Sequence, residues 1–168
     1  MKRWLMAIGL ACAIAAPALA GEKPRELYLE NCYACHHEPT SKGFAGGVPS
    51  MSTLGYFLNV PGGRAYLLRA PNMDVSAVSD PQLASVLNWL MITYNKKVLP
   101  KNFKPFTAAE IAKYRPHPLT VVTPVREALV KEIDAKGLDM PDTWGGTAGQ
   151  KTQAYAKAPD KKPDSAGY

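Results

Sequence analysis

The run Asn31-Cys32-Tyr33-Ala34-Cys35-His36-His37 restricts this chain more than any other stretch of it. Two cysteines three apart, with a histidine directly behind the second, share about one turn of backbone. Whatever they bind is gripped by one short segment, and the rest of the chain has to fold around it. Three chemistries use such a spacing: part of a zinc site, a redox-active dithiol, or a haem held through two thioether bonds. The remaining residues separate them.

The first twenty residues, MKRWLMAIGLACAIAAPALA, place Lys2 and Arg3 ahead of an apolar run and end on Ala18-Leu19-Ala20. This is the layout of a secretory signal peptide, with cleavage expected after Ala20. The run breaks at Pro17 and is short of the roughly 20 residues that a membrane span needs, so no stable anchor is expected. A lipid-attachment site at Cys12 fits less well, because almost no apolar stretch precedes it. Taking the 20 leader residues from 168 leaves 148, about one domain, and removes two of the basic residues, so the formal charge drops from +6 to +4. A modest positive charge suits acidic protein partners. Nucleic acid is not expected, since no concentrated basic run lies beside aromatic residues.

Beyond the leader the pattern is helical. Residues 21–36 read as an N-terminal helix running into the motif, with Leu27, Tyr28 and Cys32 at near-helical spacing and Pro24 in a tolerant first turn. Residues 37–50 are punctuated by glycine and proline and read as a loop. Two short apolar segments, 51–60 and 63–70, are each long enough for two or three helical turns. A loop over 71–82 closes on Ser79 and Gln82, a capping box with Pro81 in the first turn. The helix that follows, to about residue 94, has the clearest periodicity: Leu83, Val86, Leu87, Leu90, Met91 and Tyr94 form one stripe, broadened by Trp89. Its natural partner is the N-terminal helix. Thr107 and Glu110 form a second capping box for a helix to about Tyr114. A last helix begins at Thr123-Pro124, carries Val125, Leu129 and Ile133 every fourth residue, and stops at Gly137. Residues 139–168 are rich in Gly, Pro, Ala and Lys with few aliphatics and are expected to be a disordered tail.

The motif can now be decided. A structural zinc ion takes four ligands, and outside the motif the processed chain has only His37 and His117 and no further cysteine. A thioredoxin-like dithiol belongs in a sheet with alternating helices, for which there is no sign. A disulfide closing so short a loop restricts the unfolded chain very little. Haem c remains, and its geometry explains the spacing. Cys32 and Cys35 add to the two vinyl groups on one side of the porphyrin, and His36 is carried to the iron as proximal ligand.

With these residues in view, the stretch from Gly21 to Tyr94 resembles a monohaem class I c-type cytochrome. The features in common are Tyr28 four residues before the first cysteine, CYACH, a glycine-rich loop, short helices, a methionine loop and the aromatic-bearing helix SDPQLASVLNWL. The resemblance implies an all-α, cytochrome c-like fold around one covalently bound haem, with the first and last helices crossing. It implies haem attachment outside the cytoplasm, in agreement with the leader. Residues 95–138 lie outside that pattern and are expected to form a helical extension packed on or beside the 21–94 domain.

The sixth iron ligand separates electron transfer from reactive chemistry, because a methionine sulfur closes the site and an open position admits peroxide or small gases. Met91 lies on the apolar stripe and suits the core. Met140 borders the tail. Met51 comes only fifteen residues after His36, leaving little chain to pass round a haem. Met73 stands in a loop just before the last family-like helix, where the resemblance places the distal ligand, and is the expected one; Met51 is its rival. His117, between two prolines, reads as a surface residue, and His37 as solvent-facing. Arg64, Tyr56, Tyr66 and Trp89 are candidates to reach haem propionates or to pack on the ring. Lys42, Lys96, Lys97, Lys101 and Lys104 are candidates for docking an acidic partner.

The expected function is a periplasmic carrier of single electrons between a donor dehydrogenase and an acceptor oxidase or second cytochrome. The alternatives are a haem subunit of a larger dehydrogenase complex, held by residues 95–136, and a haem peroxidase or gas-binding protein with an open sixth position.

Overall fold

The structure is a computed structural model that describes residues 23–41 and 48–141. The leader, Lys42 and the tail beyond residue 141 lie outside these residues. Seven α-helices follow one another among them: α1 (Pro24–Asn31), α2 (Tyr33–His36), α3 (Leu54–Phe57), α4 (Gly63–Leu68), α5 (Asp80–Tyr94), α6 (Ala108–Tyr114) and α7 (Thr123–Ala135). Two 3-10 turns, Met51–Thr53 and Lys96–Val98, precede α3 and follow α5.

The long helix α5 organises the rest. Ser79 caps it as its sequence predicts, with the hydroxyl accepting from the Gln82 amide while the Gln82 side chain accepts from the Ser79 amide at 2.9 Å. Leu83, Val86, Leu87, Leu90 and Met91 are buried along one stripe, and α1 packs across it through Leu27 and Tyr28. Trp89 joins the two helices, its ring centroid 5.6 Å from Tyr28 and 5.4 Å from Tyr94.

At the end of α5, Asn95 is 1% exposed and acts as a polar tie. Its Oδ1 accepts from the Gly55 amide at 2.8 Å, and its Nδ2 donates to the carbonyls of Met51 and Leu90 at 2.9 and 3.0 Å. A buried carboxamide is tolerated only with such partners. The tie draws α3 so close that a Cβ on Gly55 would lie 2.9 Å from the Asn95 Cβ.

Residues beyond Asn95 continue the same core. Phe106, Ile111, Leu129 and Ile133 are buried in one cluster with Tyr28, Phe57 and Leu90. Helix α6 lies on α4 and α5, and α7 lies on α3 and α4. Polar latches reinforce the packing. Asn88 exchanges two hydrogen bonds with the Phe106 backbone at 2.9 and 2.7 Å, and Asn59 donates to the Val98 carbonyl at 2.8 Å.

Three local expectations are corrected. The N-terminal helix is not continuous to the motif, because Cys32 leaves helical geometry (φ −122°, ψ −30°) and splits α1 from α2. Thr107 caps α6 by accepting from the Glu110 amide, but the Glu110 carboxylate turns to Arg64 instead of closing a reciprocal box. In α7 the buried stripe is Arg126, Leu129 and Ile133, whereas Val125 is exposed. The Arg126 guanidinium lies 5.1 Å from the centre of the Phe57 ring, a cation over an aromatic face, so its stem takes the place expected of valine.

Candidate functional site

Cys32, Cys35 and His36 lie within a single turn at the end of α1 and through α2. Both cysteines are free thiols, Cys32 half-buried and Cys35 exposed. The amide of His36 donates to the Cys32 carbonyl at 3.0 Å, so the backbone itself holds the three residues in register. Burial pushes the Cys32 thiol above its ordinary range, with Cys35 adding to the effect. An active dithiol requires the opposite shift, towards thiolate. Among the described residues no three His, Cys, Asp or Glu side chains gather as they would around a zinc ion.

The His36 imidazole is half-buried, and its Nδ1 lies 3.5 Å from the Pro49 carbonyl. That contact engages Nδ1 and leaves Nε2 as the ring nitrogen for a metal. Burial lowers the affinity of the ring for a second proton, with His37 acting in the same direction and Pro49 against it. The neutral ring, with its lone pair, is the form a metal takes. Two thiols on one turn and an imidazole with one nitrogen engaged are the donor set that haem c uses, so these residues fit that group.

Hydrogen bonds hold the residues around Pro49. Ser50 is fully buried, and its hydroxyl donates to the Pro39 carbonyl at 3.0 Å. Thr53 donates to the Ser50 carbonyl at 3.0 Å. On the motif's other flank the Tyr28 hydroxyl donates to the His37 carbonyl at 2.7 Å. His37 is in the left-handed region (φ 50°), uncommon for a non-glycine residue, and this turn redirects the chain as it leaves the motif. His37 is half-buried with a buried Nε2, its ring edge-on to Tyr33 at 5.8 Å. The solvent-facing expectation for it is therefore corrected.

The other candidates separate by position. Met91 is fully buried in the core. Met51 and Met73 are both half-buried against it, and so is Met140. Met51 starts two residues after Pro49, which backs His36, and its carbonyl is held by Asn95. Met73 stands in the open loop between α4 and α5. His117 is exposed. Arg64, a candidate for a propionate, is engaged elsewhere: it pairs with both Glu110 carboxylate oxygens, donates to the Lys104 carbonyl at 2.8 Å and stacks 4.0 Å from the centre of the Phe106 ring. Lys96, Lys97, Lys101 and Lys104 are exposed around the turn after α5.

Three features escape sequence reasoning: the Tyr28 hydroxyl bond, the Pro49 backing of His36, and a set of hydrogen bonds from Arg115 to the Met73 loop. Pro49 follows a glycine-rich run, but no local signal says that its carbonyl meets a ring thirteen residues earlier.

Comparison with known proteins supplies the relationship. Cytochrome c-552 of Thermus thermophilus is 30% identical over 139 residues, spanning 71% of this chain and 90% of that protein. The chain belongs to the c-type cytochromes. No protein-family profile matches the cytochrome, and no solved structure matches it significantly. The all-α architecture is that of a cytochrome c-like fold, and the cytochrome is a haem electron-transfer protein. Among the described residues no helix is long and apolar enough to cross a membrane.

Proposed function

We propose that the cytochrome is an exported, single-haem electron carrier of the class I type, with haem c on Cys32 and Cys35, His36 as proximal and Met73 as distal ligand. The observation that carries the reading is the His36 imidazole, held from behind by the Pro49 carbonyl beside two free thiols on the same turn. When bound, haem c supplies a one-electron ferric/ferrous couple, so the donor loses one electron and the acceptor gains it, with no bond made or broken.

The chain's own residues do the rest. Cys32 and Cys35 would hold the haem, and the Pro49 carbonyl faces the His36 Nδ1. The packed core of α1, α5 and the short helices meets the motif through Cys32 and Tyr33. Met73 is favoured over Met51 because the segment leading into Met51 already backs His36 on its own side. The leader-like N-terminus supports export to the periplasm. The exposed lysines after α5 suit acidic redox partners, one donor dehydrogenase and one acceptor oxidase or cytochrome.

The test is an absorption spectrum with and without carbon monoxide. A low-spin ferrous spectrum unmoved by carbon monoxide is expected, together with a sulfur-to-iron charge-transfer band in the ferric form. Met73→Ala abolishes that band and Met51→Ala leaves it. Rapid carbon monoxide binding by the unaltered protein would instead indicate an open sixth position and a peroxidase or gas-binding role.

A further inference from the structure

Between α4 and α5 the chain passes through an exposed loop whose contacts come from a residue far along the sequence. Arg115, at the end of α6, has a side chain only 12% exposed. Its Nε donates to the Met73 carbonyl and one terminal nitrogen to the Ser76 carbonyl. The other terminal nitrogen donates to the Val78 carbonyl at 2.7 Å and to the Asp80 carboxylate at 2.9 Å. One planar guanidinium thus satisfies four acceptors spread over residues 73–80, a geometry that the single ammonium of lysine cannot reproduce. The loop's entrance is tied to the same region: Arg69 Nε donates to the His117 carbonyl at 2.6 Å, and the Leu119 amide donates to the Arg69 carbonyl at 2.8 Å. Asn72, just before Met73, takes a left-handed conformation (φ 67°), so the chain turns sharply there.

We infer that Arg115 is a positioning residue for the distal ligand: the C-terminal extension, through this guanidinium, sets where the Met73 backbone lies and so keeps the sixth position closed. The inference rests on the reading of Met73 as ligand. It assigns residues beyond Asn95 a part in the site itself. The region Arg115 to Leu119 holds both ends of the loop, so loosening it opens the loop while leaving the α1 and α5 core in place.

The test uses the full-length haem-loaded protein with Arg115→Gln, Arg115→Lys, Asp80→Asn and Met73→Ala. The measurements are the charge-transfer band, the rate of imidazole binding to ferric protein, amide hydrogen exchange, and the guanidinium chloride midpoint. Arg115→Gln is expected to raise the imidazole rate about tenfold or more, since it removes several charge-assisted bonds from one loop. Exchange should quicken at residues 73–80 and stay slow in α5. Arg115→Lys should rescue little, and Asp80→Asn, which keeps the shape and removes only the charge, should fall between. If Arg115→Gln does not fold, the lysine and asparagine variants carry the same readouts. An imidazole rate and loop exchange unchanged in the Arg115 variants, with the band lost in Met73→Ala, overturns the clamp alone. Exchange that quickens equally in α5 also overturns it, as a merely structural effect. A band that survives Met73→Ala removes the ligand reading and the inference with it.

Discussion

Tyr28 shows how a single side chain serves both core and site. Its ring is 1% exposed between α1 and Trp89, while its hydroxyl holds the His37 carbonyl where the chain leaves the motif. Burial raises the phenol above its ordinary range, with Cys32 and Glu38 adding to the shift. Because the folded value lies above the unfolded one, the stabilisation is complete below the unfolded value of about 10 and is lost as pH rises through the folded value. Tyr28→Phe is expected to cost about 1 kcal/mol near neutral pH, as measured by denaturant unfolding, from the lost hydrogen bond. Above about pH 10 the gap between the two proteins should narrow, since only wild type keeps a buried phenol to ionise. The ring's burial is legible in the sequence from the spacing of Leu27 and Tyr28. Its hydrogen bond is not, since the acceptor is a backbone carbonyl in a conformation that no side-chain pattern announces.

At the scale of elements, short helices meet by close backbone approach more than by large apolar faces. Gly63 opens α4 beneath the end of α3, where a Cβ would stand 1.9 Å from the Phe57 carbonyl oxygen. No side-chain rotation relieves a contact with backbone. Gly63→Ala is therefore expected to destabilise the protein by about 3 kcal/mol or more, seen as a lowered thermal midpoint, unless α3 and α4 separate. The sequence marks this place only as a turn, Pro61-Gly62-Gly63, and does not say which glycine is needed for which reason. Gly62 takes the left-handed conformation (φ 79°), whereas Gly63 is required for space. By contrast, α5 is legible almost completely, because its cap and its stripe are both made of residues three and four apart.

For the whole molecule, the extension shares the core of the preceding residues. Phe106, Ile111, Leu129 and Ile133 are 7% exposed or less, and each belongs to the same cluster as the α1 and α5 core. Losing any one such side chain costs about 2–5 kcal/mol, and a typical domain has only 5–15 kcal/mol in all. A chain ending after Asn95 is accordingly expected to lose its cooperative unfolding transition, as followed by circular dichroism. A truncated chain that kept a sharp transition would show that residues 21–94 fold alone. This outcome bears on the alternative of a partner-binding arm, because residues spent on an internal core are not available to a neighbouring subunit.

Local grammar determined much of this protein before any packing was seen. The CYACH spacing, the Ser79 and Gln82 cap, the stripe of α5 and the stop at Gly137 all depend on residues within a few positions of one another, where helical geometry alone brings them together. Only the tertiary structure decided that Glu110 pairs with Arg64, that Arg126 replaces Val125 in the core, that Asn95 ties α5 to α3, and that Arg115 reaches back to Met73. Those partners are distant in sequence: Arg64 and Glu110, for example, stand 46 residues apart. A charged or polar side chain does not declare its partner, because the same arginine is equally compatible with solvent, a carboxylate or a row of carbonyls until the fold brings one of them within reach.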